Sequence, residues 1–74
     1  YESEDTKTPE DDEWCKTHVK DSTKEICIIK TFDKVDKELC RKMTGSSARQ
    51  KGYTENVIID TSTPNVCKTV WRKL

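Results

Sequence analysis

The sequence predicts a small disulfide-rich α+β domain, built from short antiparallel β-strands, one helix over about 34–44 and two disulfides. Three observations carry this. Four cysteines, Cys15, Cys27, Cys40 and Cys67, fall in a chain of only 74 residues. Hydrophobic residues make up 31% and charged residues 38%, too little apolar material to offset the entropy of ordering the chain unaided. Runs rich in β-branched residues surround a single stretch with helical spacing of apolar residues.

The elements follow in order. Residues 1–13, YESEDTKTPEDDE, combine dense negative charge with a proline and no apolar period, and read as a disordered acidic arm. A disulfide-stapled domain then occupies 14–74. Trp14–Val19 alternates as a short opening strand, and Asp21-Ser22-Thr23 is a turn signal. Lys24–Phe32, KEICIIKTF, carries apolar residues on both faces and reads as a strand covered on both sides. Asp33 is placed to cap the helix. Val35, Leu39, Cys40 and Met43 form its apolar stripe, and Gly45 fits the left-handed residue past its end. Residues 45–56, GSSARQKGYTEN, read as a long exposed loop. Val57–Ile59 is a short strand, Thr61–Asn65 a turn, and Val66–Leu74 a final alternating strand suited to a sheet edge.

An even cysteine count without a C-x-x-C pair indicates two bridges in an exported protein. Bridges closing loops of about 25 to 40 residues contribute roughly 3–4 kcal/mol each in the chain-entropy model. Three connectivities are possible. The reading adopted here is Cys15–Cys40 with Cys27–Cys67, which ties the helix to the opening strand and joins the two most apolar strands. The nested pairing, Cys15–Cys67 with Cys27–Cys40, stays open.

The formal net charge of zero divides unevenly. Seven acids against Lys7 give residues 1–13 a net of −6, and residues 14–74 carry a net of +6. Such asymmetry suggests an acidic interaction tail on a basic body. The opening residues are acidic, so the sequence is expected to be a mature form whose leader has been removed.

Catalytic and cofactor chemistry finds little support. Cys15 and His18 have C-x2-H spacing, but no second close ligand pair follows, so no metal is expected. A Cys–His nucleophile needs a free thiolate, and Ser22, His18 and Asp21 in one turn build no cleft. The expectation is a protein that is not an enzyme and takes no cofactor. An acidic arm repels phosphates, so nucleic acid is not an expected partner, and no apolar stretch suits a membrane span. Protein binding remains. Trp, Tyr and Arg dominate interface hot spots. The candidate contact residues are therefore Trp14, Arg49, Lys51, Tyr53, Trp71 and Arg72, with Trp71 also suited to the centre of a small core.

The acidic opening YESED, the short length, the cysteine framework and the lysine- and glutamate-rich body make the chain similar in format to small secreted salivary proteins of blood-feeding arthropods, ticks especially. The cysteine pattern departs from those of the chemokine-binding evasins and of Kunitz inhibitors, so neither family is implied. The resemblance implies a secreted, monomeric binding protein that inhibits a host extracellular protein by occupying its surface. A complement component is favoured over a chemokine or a protease. A venom-type ion-channel toxin acting through a basic face is the alternative.

Overall fold

A computed structural model describes residues 1–6 and 8–74. Lys7, part of the predicted arm, lies outside the described residues. The elements run β1 (Glu2–Glu4), α1 (Pro9–His18), β2 (Glu25–Thr31), α2 (Lys37–Gln50), β3 (Glu55–Asp60) and β4 (Val66–Arg72). The strands form one sheet in the order β1-β2-β4-β3. β1 runs parallel to β2, whereas β4 is antiparallel to both β2 and β3. The fold is thus α+β with two disulfides, but the sheet is mixed and two helices stand where the sequence predicts one.

Alternation along β2 organises the layers. Ile26 and Ile28 point to one face and meet Ala48, Tyr53 and Trp71 beneath α2. Cys27 and Ile29 point to the other, where they meet Cys15 with Trp14, Val19 and Val66 around them. The two helices therefore lie on opposite faces of the sheet. The final strand is not an edge. β4 is inserted between β2 and β3, pairing Ile26 with Trp71, Cys27 with Val70 and Ile28 with Thr69. β1 and β3 are the edges.

α2 begins three residues later than predicted and ends six residues further on. Asp36, not Asp33, is its cap, with Oδ1 accepting the Leu39 N–H at 2.7 Å. The stretch predicted as a loop from Gly45 continues the helix to Gln50 because Trp71 covers it. A Cβ on Gly45 would lie 2.9 Å from Trp71 Cη2, so glycine here makes room for the indole. The left-handed residue is Gly52 instead (φ 90). Its N–H bonds the Arg49 carbonyl at 3.0 Å, and the Tyr53 N–H bonds the Ala48 carbonyl at 2.9 Å, closing the helix as Tyr53 packs on Ala48. Inside, the Trp71 indole N–H donates to Thr44 Oγ1 at 3.3 Å. The Thr44 hydroxyl donates in turn to the Cys40 carbonyl at 2.6 Å, so these buried polar groups are satisfied.

α1 replaces both the predicted opening strand and the end of the predicted disordered arm. Thr8 caps it, accepting the Asp11 N–H at 3.2 Å, and Pro9 takes a first-turn position where its missing N–H loses nothing. Glu10, Asp11 and Asp12 sit in the first turn and Lys16 and His18 in the last, each matching the helix dipole. These terminal signals outweigh the weak alternation of Trp14–Val19. Residues 2–4 of the same arm pair with β2, and the Tyr1 hydroxyl donates to Asp12 Oδ1 at 2.9 Å. The buried carboxylate of Glu25 fixes the α1–β2 turn by accepting the N–H groups of Lys20 and Asp21 at 2.7 and 2.8 Å.

The disulfides are Cys15–Cys27 and Cys40–Cys67, the third of the possible connectivities and not the adopted Cys15–Cys40 with Cys27–Cys67. Side-chain alternation explains the correction. Cys27 faces α1, whereas Cys67, in register with Lys30, faces α2, so a Cys27–Cys67 bridge would have to pass through the sheet. Cys15 and Cys40 are likewise held on opposite faces. Each bridge ties one helix to the strand beneath it.

Candidate interaction surface

The six predicted contact residues do not converge. Trp71 is 1% exposed and Tyr53 6%, so both belong to the core under α2. Burial, with the Glu2 carboxylate adding to it, pushes the Tyr53 phenol above its ordinary value. Arg72 is engaged within the sheet, its Nε and Nη2 donating to Glu55 Oε2 at 3.0 and 2.8 Å. Lys51 Nζ stands 3.8 Å from Glu4 Oε2. Trp14 is half-buried on the opposite face, stacked on His18 at 4.3 Å with Lys68 Nζ 5.9 Å over its ring. Only Arg49 is exposed and has no ion-pair partner among the described residues.

The outward side of α2 carries the chemistry that the loop reading concealed. Lys37, Arg41, Lys42 and Arg49 are all exposed along α2, Lys42 and Arg49 on its outward row and Lys37 and Arg41 at the margin of the row that buries Gly45 and Ala48, against a single acid, Glu38. None of the four cations forms an ion pair among the described residues. Met43, 43% exposed, lies among them as an adaptable apolar contact. Across the sheet, α1 presents Glu10, Asp11, Asp12 and Glu13. The first-turn acids of α1 and the cations of α2 thus lie on opposite sides of the sheet, with Asp12 paired to Lys16 and Asp11 to Lys68 on the α1 side and Glu4 paired to Lys51 on the other. The i, i+7 spacing that puts Lys42 and Arg49 on one row is visible once the helix is carried to Gln50.

Comparison with protein-family models, curated proteins and solved structures yields no match. Function must therefore be argued from the chemistry of these surfaces. All four cysteines are bridged, so none is a thiolate nucleophile in this structure. His18 Nδ1 lies 2.8 Å from the Trp14 carbonyl, which fixes its ring. Among the described residues, no group of three or more His, Cys, Asp or Glu side chains is arranged to hold a metal ion, and no helix is long and apolar enough to cross a membrane.

Turn carboxylates fix the loops that flank the sheet. Asp60 Oδ1 accepts the Ser62 hydroxyl at 2.7 Å and the Ser62 N–H at 2.9 Å, and these bonds hold its pKa below the ordinary value. Thr23 does the same for Asp21. A carboxyl group whose pKa is depressed by folding contributes stability above its unfolded pKa and loses it as pH falls through the folded one. Asp60→Asn keeps an acceptor oxygen but removes the charge. It is expected to lower the melting temperature at neutral pH, by a difference that shrinks as pH falls below the ordinary carboxylate range and the Asp60 carboxylate takes up a proton. Melting curves across pH check this, and a difference that does not shrink in acid contradicts it.

Proposed function

We propose that the chain is a secreted binding protein that inhibits a host extracellular protein by occupying its surface, with a complement component as the first class to test. The observation that carries this reading is the outward face of α2. Lys42 and Arg49 stand there with the exposed Met43, flanked by Lys37 and Arg41, and none of the four cations has an ion-pair partner among the described residues; all are carried on a helix that a disulfide clamps to β4. A rigid helix loses little conformational entropy on association, so more of the contact energy appears as affinity. A basic face of this kind suits an acidic patch on the partner, attracts it from a distance, and loses that attraction as salt rises.

The reading is tested by immobilising the chain and capturing partners from vertebrate plasma, with mass spectrometry to identify them. Binding of the captured protein is then measured against Arg41→Glu/Lys42→Glu/Arg49→Glu. These side chains are exposed, so the triple variant is expected to keep its melting temperature. Its association rate is expected to fall about tenfold or more, with most of the loss recovered in the salt dependence. Unchanged binding by a folded triple variant removes α2 as the contact face. Capture of nothing from plasma, followed by block of a cation channel, moves the protein to the toxin alternative.

A further inference from the structure

The open side of β2, opposite β4, is occupied by only three residues of the chain's own N-terminus. β1 pairs Glu2 with Ile26, Ser3 with Cys27 and Glu4 with Ile28, while β2 itself extends from Glu25 to Thr31. The parallel register places the side chains of Glu2 and Glu4 on the α2 face, where Lys30, Lys51 and Tyr53 lie. Lys30 Nζ is 3.6 Å from Glu4 Oε1 and 3.9 Å from Asp5 Oδ2, and Lys51 Nζ is 3.8 Å from Glu4 Oε2. That Oε2 is buried, yet has no hydrogen-bond partner among the described residues. The carboxylate therefore sits in a positive field without closing a hydrogen bond to either ammonium, which forfeits much of the energy of a charge-assisted bond. Asp5, at φ 62, then turns the chain away from β2, so Ile29–Thr31 have no strand partner on this side among the described residues.

We infer that the edge of β2 with Lys30, Lys51 and Tyr53 is a binding groove for an extended acidic peptide segment of a partner protein, and that β1 fills it as an internal stand-in. A segment running straight past the point where Asp5 turns would continue the ladder along Ile29 and Lys30. Its next alternate side chain would fall in register with Lys30, on the same face as the two before it. The preferred occupant thus carries acids at three alternate positions, the strand period delivering each to the cationic side while the backbone adds to the sheet. A three-residue edge strand with an imperfectly seated carboxylate is weakly held and gives way to it. The groove is separate from the outer face of α2, and it stands or falls independently of the role proposed for that face.

The test uses the full chain and an acetylated, amidated peptide, Tyr-Glu-Ser-Glu-Ser-Glu, titrated while backbone amide shifts are followed by NMR. Glu2→Lys/Glu4→Lys expels β1 from the groove and is expected to bind the peptide about tenfold more tightly than the unmodified chain, because the competing occupant is gone. Shifts are expected at Ile26–Lys30 and at Lys51. A peptide with lysine for each glutamate, and one N-methylated along its backbone, are both expected not to bind. If the double variant does not fold, Glu4→Gln in the full chain carries the same test, with tighter binding than the parent expected. Equal binding by the parent and the released variant overturns the stand-in role of β1. Retained binding of the N-methylated peptide, or equal binding of a heparin fragment, overturns strand addition. Shifts confined to Lys42 and Arg49 overturn the location.

Discussion

Replacing Cys40 and Cys67 with serine is expected to unfold the whole domain at ordinary temperature, whereas replacing Cys15 and Cys27 is expected to release α1 and leave the rest standing. Chain entropy alone does not distinguish the two. The separations of 27 and 12 residues correspond to about 3–4 and about 3 kcal/mol in the loop-closure model. Architecture decides. α1 buries Cys15 alone, so without its bridge only the half-buried Trp14 and the Asp11–Lys68 pair hold it to the sheet. α2 buries Cys40, Thr44, Gly45 and Ala48 and roofs the core around Trp71, so losing its bridge frees the surface on which the main core is built. A small domain has about 5 kcal/mol of net stability at the low end, and a loss of this size leaves little. Far-ultraviolet circular dichroism measures the helix lost, and near-ultraviolet tryptophan signals report whether Trp71 stays packed. Equal melting temperatures for the two variants contradict the assignment of α1 and α2 to separate cores.

Trp71→Ala is expected to remove about 3–5 kcal/mol, enough to leave the chain largely unfolded. Trp71 is the largest fully buried side chain, and it fills the space between β4, Ile26 and the open side of Gly45. Its removal also strips the Thr44 hydroxyl of its buried donor. Gly45→Ala tests the same contact from the other side. Helix propensity alone predicts a gain of about 1 kcal/mol for alanine in a helix interior. Contact with the rigid indole predicts an overpacking loss of roughly 1–3 kcal/mol, and the loss is expected to prevail. Chemical denaturation measures both, and a stabilised Gly45→Ala shows that the indole moves aside at little cost.

Much of the fold was legible where one residue type had one consistent use. The apolar β2 run, covered on both faces, required no tertiary knowledge. Helix boundaries were harder because the relevant residues occur twice. Asp33 and Asp36 are equally good caps by residue type, and Gly45 and Gly52 equally good terminators; contact with Trp71 keeps Gly45 inside the helix and leaves Gly52 to end it. α1 was readable from Thr8, Pro9 and the acids after them, a start signal hidden by reading its dense charge as disorder. The disulfides depended on which face each strand cysteine occupies, and strand order sets that. The candidate surface was missed for a linked reason. With residues 45–56 taken as a loop, Arg49 fell outside the helix that carries Lys37, Arg41 and Lys42, and the basic face did not assemble.

β4 fills a slot between two strands that both precede it in the chain. A ribosome that has delivered residues up to Asp60 has made both walls of that slot and nothing to close it. At that moment Cys15 and Cys27 can pair correctly, but Cys40 has only wrong partners within reach. Early closure of Cys15–Cys27 leaves Cys40 no free thiol to mispair with, so the order in which the two bonds form decides whether Cys40 is still available when Cys67 arrives.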